Sequence, residues 1–272
     1  MAQQSIATDL PGSDLDVAKM PGHWLLARLG KRVLRPGGLA LTEKLLESLS
    51  ISPSDKVVEF APGLGVTARL VLEHQPLQYI GVERDSKAMQ WTTRHLPQLP
   101  NVSVVVGAAD ETNLPANSAS VVLGEAMLSM NTHQHKQRIA AEAFRILRPG
   151  GRYGIHELCV VPDDIASDQK QEIDKTLSSV FHVAARPLPA REWNALLEGA
   201  GFRVVHIGYA PMHLLRPRRL IQDEGVLGAL RLAKNILLGG AARRRVLAMR
   251  RVFERYRENL SAIFIVAEKE RE

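Results

Sequence analysis

A chain of 272 residues is long enough to bury one sizeable core, and its single cysteine, Cys159, excludes a disulfide framework. No run of about 18 uninterrupted apolar residues is present, which excludes a membrane-spanning helix. The stretch 1–16 lacks the charged and apolar regions of a secretory signal, so a cytoplasmic location is expected. The net charge of +6 is unevenly placed, because 216–257 holds twelve Lys and Arg against Asp223, Glu224 and Glu254 while the remainder is slightly acidic.

In chain order, 22–34 and 41–50 read as two helices parted by the turn Pro36-Gly37-Gly38 and placed to cover the mouth of a site. After Asp55, short β-rich runs alternate with helical ones, the signature of a parallel sheet with helices on both faces. Seven strands are predicted, at 56–59, 78–83, 102–106, 120–123, 151–156, 203–207 and 262–267. Helices are predicted at 67–73, 86–95 with Asp85 as N-cap, 135–147, 167–182 and 190–198, and Gly150-Gly151 supplies a helix stop. Between the last two strands, 213–238 and 241–256 read as two helices joined at Gly239-Gly240. In the second, Val246, Met249, Val252, Phe253 and Tyr256 recur at helical spacing, leaving a strongly cationic opposite face. The expected division is a helical cap at 1–50, an α/β core at 51–210 with 259–272, and a basic helical insertion at 211–258.

The most informative segment is V-V-E-F-A-P-G-L-G-V-T at 57–67. An apolar strand ends near an acid, and the chain turns through Gly63 and Gly65 into a helix whose free N–H groups face a nucleotide-like ligand. The spacing fits two cofactors. As G-x-G-x-x-A, with Glu83 about 20 residues on, it passes for a dinucleotide fingerprint. Glu59, four residues before Gly63, opposes that reading, because a carboxylate repels a pyrophosphate and suits a cationic ligand.

In the frame E-x-A-x-G-x-G the segment resembles motif I of the class I S-adenosylmethionine-dependent methyltransferases, with Ala61 where the first glycine usually lies. Further matches follow in order. Y-I-G-V-E-R-D at 79–85 resembles the second-strand motif, in which Glu83, with Arg84 beside it, would bind the ribose hydroxyls. G-A-A-D-E-T-N-L-P at 107–115 resembles the adenine-edging loop, with Asp110 or backbone groups near Ala109 in place of the usual acid. A-F-R-I-L-R-P-G-G-R-Y at 143–153 and R-E-W-N-A-L-L-E-G-A-G-F at 191–202 resemble two later helix-and-turn segments. The resemblance covers 39–210 and the final strand. It implies a Rossmann-like, doubly wound sheet of seven strands, mostly parallel with an antiparallel last strand, and S-adenosylmethionine held by Glu59, Ala61, Gly63, Gly65, Glu83, Arg84, Ala109, Asp110 and Glu125. Within the family the chain is most similar to small-molecule enzymes, including the ubiquinone and menaquinone biosynthesis type, and the expected reaction is methylation of a small organic acceptor at oxygen or carbon.

Ligands of open α/β sheets bind beyond the carboxyl ends of the strands, which makes Glu125 after the fourth strand and His156 and Glu157 after the fifth candidates for a general base. Phe181 and His182, ending a helix, are candidates to roof the acceptor. His133 and His135, two residues apart, share no helical face, so no metal is expected. The basic segment, with only Phe253 and Tyr256 aromatic, argues against nucleic acid and leaves open peripheral membrane contact through 216–257. Alternatives are therefore a lipid or quinone acceptor collected at a membrane, a non-catalytic protein that binds the cofactor, or a dehydrogenase; oligomeric state is not indicated.

Overall fold

The structure, a computed structural model, describes residues 10–271. The leader expectation therefore lies partly outside the described residues, which begin at Leu10. In chain order the elements are α1 (Gly22–Arg28), α2 (Gly38–Leu49), β1 (Lys56–Phe60), α3 (Val66–Glu73), β2 (Gln78–Glu83), α4 (Ser86–His95), β3 (Val102–Val106) and β4 (Ala119–Glu125). A short 3-10 turn (Leu128–Met130) follows, then α5 (His133–Ile146), β5 (Leu147–Val160), α6 (Ser167–Phe181), β6 (Leu188–Pro189), α7 (Ala190–Gly199), β7 (Arg203–Pro211), α8 (Pro217–Leu238), α9 (Gly240–Arg255) and β8 (Leu260–Glu268).

One sheet runs β3-β2-β1-β4-β5-β8-β7, with β6 paired to β5 beside Cys159. The pairs from β3 to β5 are parallel, and β8 runs antiparallel to both β5 and β7. Strands buried on both faces read as continuous apolar runs, as in β4, and parallel pairing requires the helical crossovers that the sequence supplies. One face is covered by α5 and α7 through Ile139, Ala143, Trp193 and Leu197. The other is covered by α2 and α3 through Leu41, Leu45, Leu49, Ala68 and Val71. Local chemistry fixes the helix starts: Asp85 accepts from the backbone N of Lys87 and Ala88 to cap α4, and Thr132 accepts from His135 N to cap α5.

Two differences from the sequence reading bear on the site. The first helix ends at Arg28 rather than 34, and 29–37 is an irregular segment that dips into the cavity. The second does not cover a mouth, since its leucines pack on Val57, Val121, Leu123 and Phe264 of the sheet. An amphipathic helix reads alike in sequence whether it lids a cleft or lies on a sheet. The insertion forms a third cluster with α1 and α6, in which Leu25, Leu26, Ile173, Leu177, Leu232, Val246 and Met249 are buried. Its first helix is kinked at Gly225, and its second is bounded as the period predicts, within one residue at each end.

Candidate active site

The carboxyl ends of β1, β2 and β4 and the loop after β3 open onto a cavity of about 610 Å³, within the ordinary range of about 300–1,000 Å³ for ligand sites. Glu59, Ala61, Gly63, Glu83, Arg84, Ala109, Asp110 and Glu125 all line it; Gly65 lies behind as the N-cap of α3. Gly65 adopts φ +72°, and a Cβ there would come within 3.1 Å of the Thr92 methyl, so both conformation and space call for glycine. Ala61 sits at φ +54°, the left-handed region, which gives a physical reason why a glycine is usual at this place in the motif. The loop is tied down from two sides. Thr92 Oγ1 donates to Gly63 O at 2.6 Å, and Gly63 N donates to Glu83 Oε2 at 3.1 Å.

Three carboxylates converge here. Glu83 is buried and also accepts from Asp85 N at 3.1 Å; burial raises its pKa, while the two backbone donors pull it back. Glu59, buried beneath the loop, accepts a 2.7 Å hydrogen bond from Tyr79 Oη. Burial pushes its carboxyl up to about 8, a rise that the Tyr79 hydroxyl opposes and nearby Glu125 reinforces. Glu125 is the hub. Arg35 Nη1 donates to it at 2.7 Å, Thr42 Oγ1 at 2.7 Å, and the Thr67 hydroxyl bridges Arg35 to the same carboxylate. Burial alone would raise the Glu125 pKa, but the Arg35 charge and the His156 ring hold it at about 2.

Of the candidate bases, Glu125 lines the cavity and His156 and Glu157 do not. His156 is fully buried, with Nδ1 2.6 Å from Glu125 Oε1 and Nε2 against the Pro36 carbonyl, so both ring nitrogens face acceptors. It joins the strand end to the 29–37 segment. Glu157, also fully buried, accepts from the backbone N of Met127, Leu128 and Ser129 and from the Ser129 hydroxyl at 2.6–3.0 Å, bracing the 3-10 turn after β4. Alternation along β5 decides this: these two residues continue into a strand that runs to Val160, four residues past the predicted end, and their side chains meet protein rather than ligand.

Asp110 lines the cavity but is engaged by His135 Nε2 at 3.2 Å and Arg138 Nε at 3.1 Å. Phe181 lines the cavity, whereas His182 caps the helix in a left-handed conformation and is exposed. Among the described residues, no group of three or more His, Cys, Asp or Glu is placed to hold a metal ion.

Sequence reasoning missed Arg35 and Thr67. Arg35 is 7% exposed, its Nη1 is committed to Thr67 and Glu125, and its Nε and Nη2 are buried without a hydrogen-bond partner on the cavity wall. An arginine before Pro-Gly-Gly carries no periodic signal; only its distance in space from Glu125 reveals it. The opposite wall comes from elements far apart in sequence: Leu26, Leu158, Leu177, Phe181, Met212, Leu214 and Phe253, all members of one apolar cluster.

The donor set fits a cofactor that carries both signs of charge. Of the three buried carboxylates only Glu125 is contacted by a guanidinium, and among the described residues Glu59 and Glu83 form no ion pair. Arg35 meanwhile offers two unused donors for an anion. The sulfonium, ammonium and carboxylate of S-adenosylmethionine supply these complements, whereas a pyrophosphate would face the carboxylates.

Comparison with known proteins agrees. A family described as a methyltransferase domain matches residues 57–151. An uncharacterized protein of Haemophilus influenzae is 32% identical over 219 residues, 79% of this chain and 85% of the relative. The S-adenosyl-L-methionine-dependent Diels-Alderase iccD of Talaromyces variabilis is 26% identical over 189 residues, 67% of this chain and 63% of the relative. Among solved structures, Haemonchus contortus phosphoethanolamine N-methyltransferase 2 in complex with S-adenosyl-L-methionine shares the fold, with a TM-score of 0.71 at 15% identity over 97% of this chain and 59% of that one.

Proposed function

The chain belongs to the class I S-adenosylmethionine-dependent methyltransferases, and from that premise we propose that it methylates a small, largely apolar organic acceptor at oxygen or carbon. The bound cofactor supplies a methyl group activated by positive sulfur. The chain's own residues do the rest. Glu83 would accept from the ribose hydroxyls with the lone pairs its two backbone donors leave open. Glu59 would face the cationic groups of the cofactor, and the free Nε and Nη2 of Arg35 would take its carboxylate.

The observation that carries the acceptor class is the wall of Leu158, Leu177, Phe181, Met212, Leu214 and Phe253. None of these six side chains is titratable, so this part of the lining excludes water around the acceptor, while the imidazoles of His23 and His135 belong to the rest of the lining. An ammonium acceptor would bring a second positive charge against a cationic cofactor, with none of these six side chains able to deprotonate it. A phenolic or enolic acceptor that enters as its delocalised anion, its proton already given to solvent, needs shape and dryness more than a base, and as the bond to carbon or oxygen forms the sulfur–methyl bond breaks and the sulfur leaves neutral. Direct displacement of the methyl group then depends mainly on alignment.

The test is a panel of phenols, enols and amines of matched size assayed with radiolabelled S-adenosylmethionine. Turnover confined to oxygen or carbon acceptors, with KM raised by Phe253→Ala at unchanged cofactor affinity, is expected. Turnover of amines alone would overturn the acceptor assignment and leave the cofactor assignment standing.

A further inference from the structure

The insertion turns its acids inward and its cations outward. Glu224 accepts from Lys31 Nζ at 3.3 Å and from the backbone N of Arg32 and Val33, and Asp223 accepts from Leu39 N. From 225 to 253 no Asp or Glu occurs. Of the cations in that stretch, Arg245 points inward to the carbonyls of Val17 and Met20 at 2.6 and 2.7 Å. Arg231, Lys234, Arg243, Arg244, Arg250 and Arg251 are exposed, and among the described residues none of them forms an ion pair.

On the same helix as Arg231 and Lys234 lie side chains that water should not meet. Leu227 is 79% exposed and Leu238 76%, with Val226, Leu230 and Leu237 each at 60% or more. At about 100° per residue these five, with Arg231 and Lys234, fall on one arc of about 140° along α8. The inner side of the same insertion is fully used, since Leu232, Val246 and Met249 pack against α1 and α6. The outward leucines are therefore surplus to the fold, and contiguous exposed apolar surface marks an interaction face.

We propose that this outer face of α8 and α9 docks on an anionic lipid bilayer, the leucines entering the headgroup boundary and the six cations lying against lipid phosphates. The charge decides the partner: an apolar stripe rimmed only by cations complements an anionic apolar surface. No described helix is long and apolar enough to cross a membrane, so the contact is peripheral. The proposal goes beyond the acceptor assignment and does not depend on it, although Phe253, on the inner side of α9, lines the cavity and so links the two surfaces.

The experiment is flotation of the full chain with phosphatidylcholine vesicles, with and without phosphatidylglycerol, at about 0.1 M and about 1 M salt, where the screening length falls from about 10 Å to about 3 Å. Binding to anionic vesicles at low salt is expected, weakened at least about tenfold by high salt, by Arg243→Glu with Arg244→Glu, and separately by Leu227→Ser with Leu238→Ser. Arg148→Glu with Arg191→Glu, an equal charge change elsewhere, should leave it intact, and retained cofactor affinity shows each variant folded. Equal binding to neutral vesicles, equal loss in the control pair, or no binding at low salt would overturn the proposal. So would a dimer, seen by sedimentation, that the leucine variant dissociates without any vesicle binding, since the face would then belong to a second copy.

Discussion

At the strand ends the carboxylates of the cavity are held by hydrogen bonds from the sheet, the glycine loop and the helices beside it, whereas the facing wall is apolar and borrowed from five separate stretches of chain. Glu59, Glu83 and Glu125 stand at the ends of β1, β2 and β4, and parallel register places Glu59 beside Leu123 and Glu125 beside His156. Leu26, Leu158, Leu177, Met212 and Phe253 meet only because the cap, α6 and the insertion fold over the same edge. The polar end is geometrically over-determined. The apolar end is set by volume alone, which leaves it freer to change with the acceptor.

Removing the hub should break the polar end most severely. Glu125→Ala leaves Arg35, His156, Thr42 and Thr67 without their shared acceptor, and a loss of about 3–5 kcal/mol in denaturant unfolding is expected. Glu83→Ala should spare more of the stability and instead weaken S-adenosylmethionine binding by about 2–3 kcal/mol, read by calorimetry. At the apolar end, Phe253→Ala should cost about 1–3 kcal/mol in acceptor kcat/KM with cofactor affinity unchanged, so the two ends separate experimentally.

The pH dependence sharpens the contrast further. Glu59 titrates at about 8 in the free cavity, and a cationic ligand favours its ionised form. Between the lowered bound value and about pH 8, binding therefore releases a proton, and affinity should tighten as pH rises, by at most about tenfold per unit, levelling above about 8. Glu59→Gln should abolish the proton release measured in buffers of different ionisation heat. The smallest effect is expected at Ala61→Gly, which relieves a left-handed alanine and should stabilise the protein by about 1 kcal/mol at unaltered cofactor affinity.

How much of this was legible in sequence follows from the same contrast. The strand-end acids and the glycine loop were readable because their spacing is local: a strand, a turn and a helix start fall within eleven residues. β2, β3 and α4 lie where their patterns place them. Arg35 was not readable, because its partner Glu125 is 90 residues away and no period links them. His156 and Glu157 were misread because residue type at a strand end was taken as access, while the strand continues and buries both. The apolar wall could be guessed only as helices with an apolar face, not as a cavity, because amphipathicity does not say what a face will meet.

Lys31 sets a constraint on how such a protein can be altered. Its ammonium is fully buried, 3.3 Å from Glu224 and 3.7 Å from Asp223, which are themselves nearly inaccessible. Gly38, at φ +64°, has room for no Cβ because the Asp223 carboxylate fills the space. The segment before the sheet and the insertion near the end of the chain are thus joined by charge and by shape. A chimera that imports a relative's insertion to change acceptor preference would strand an ammonium in a dry interior, unless the matching front segment travelled with it. The two pieces form a single exchangeable cassette, split by nearly two hundred residues of chain that do not take part in the exchange.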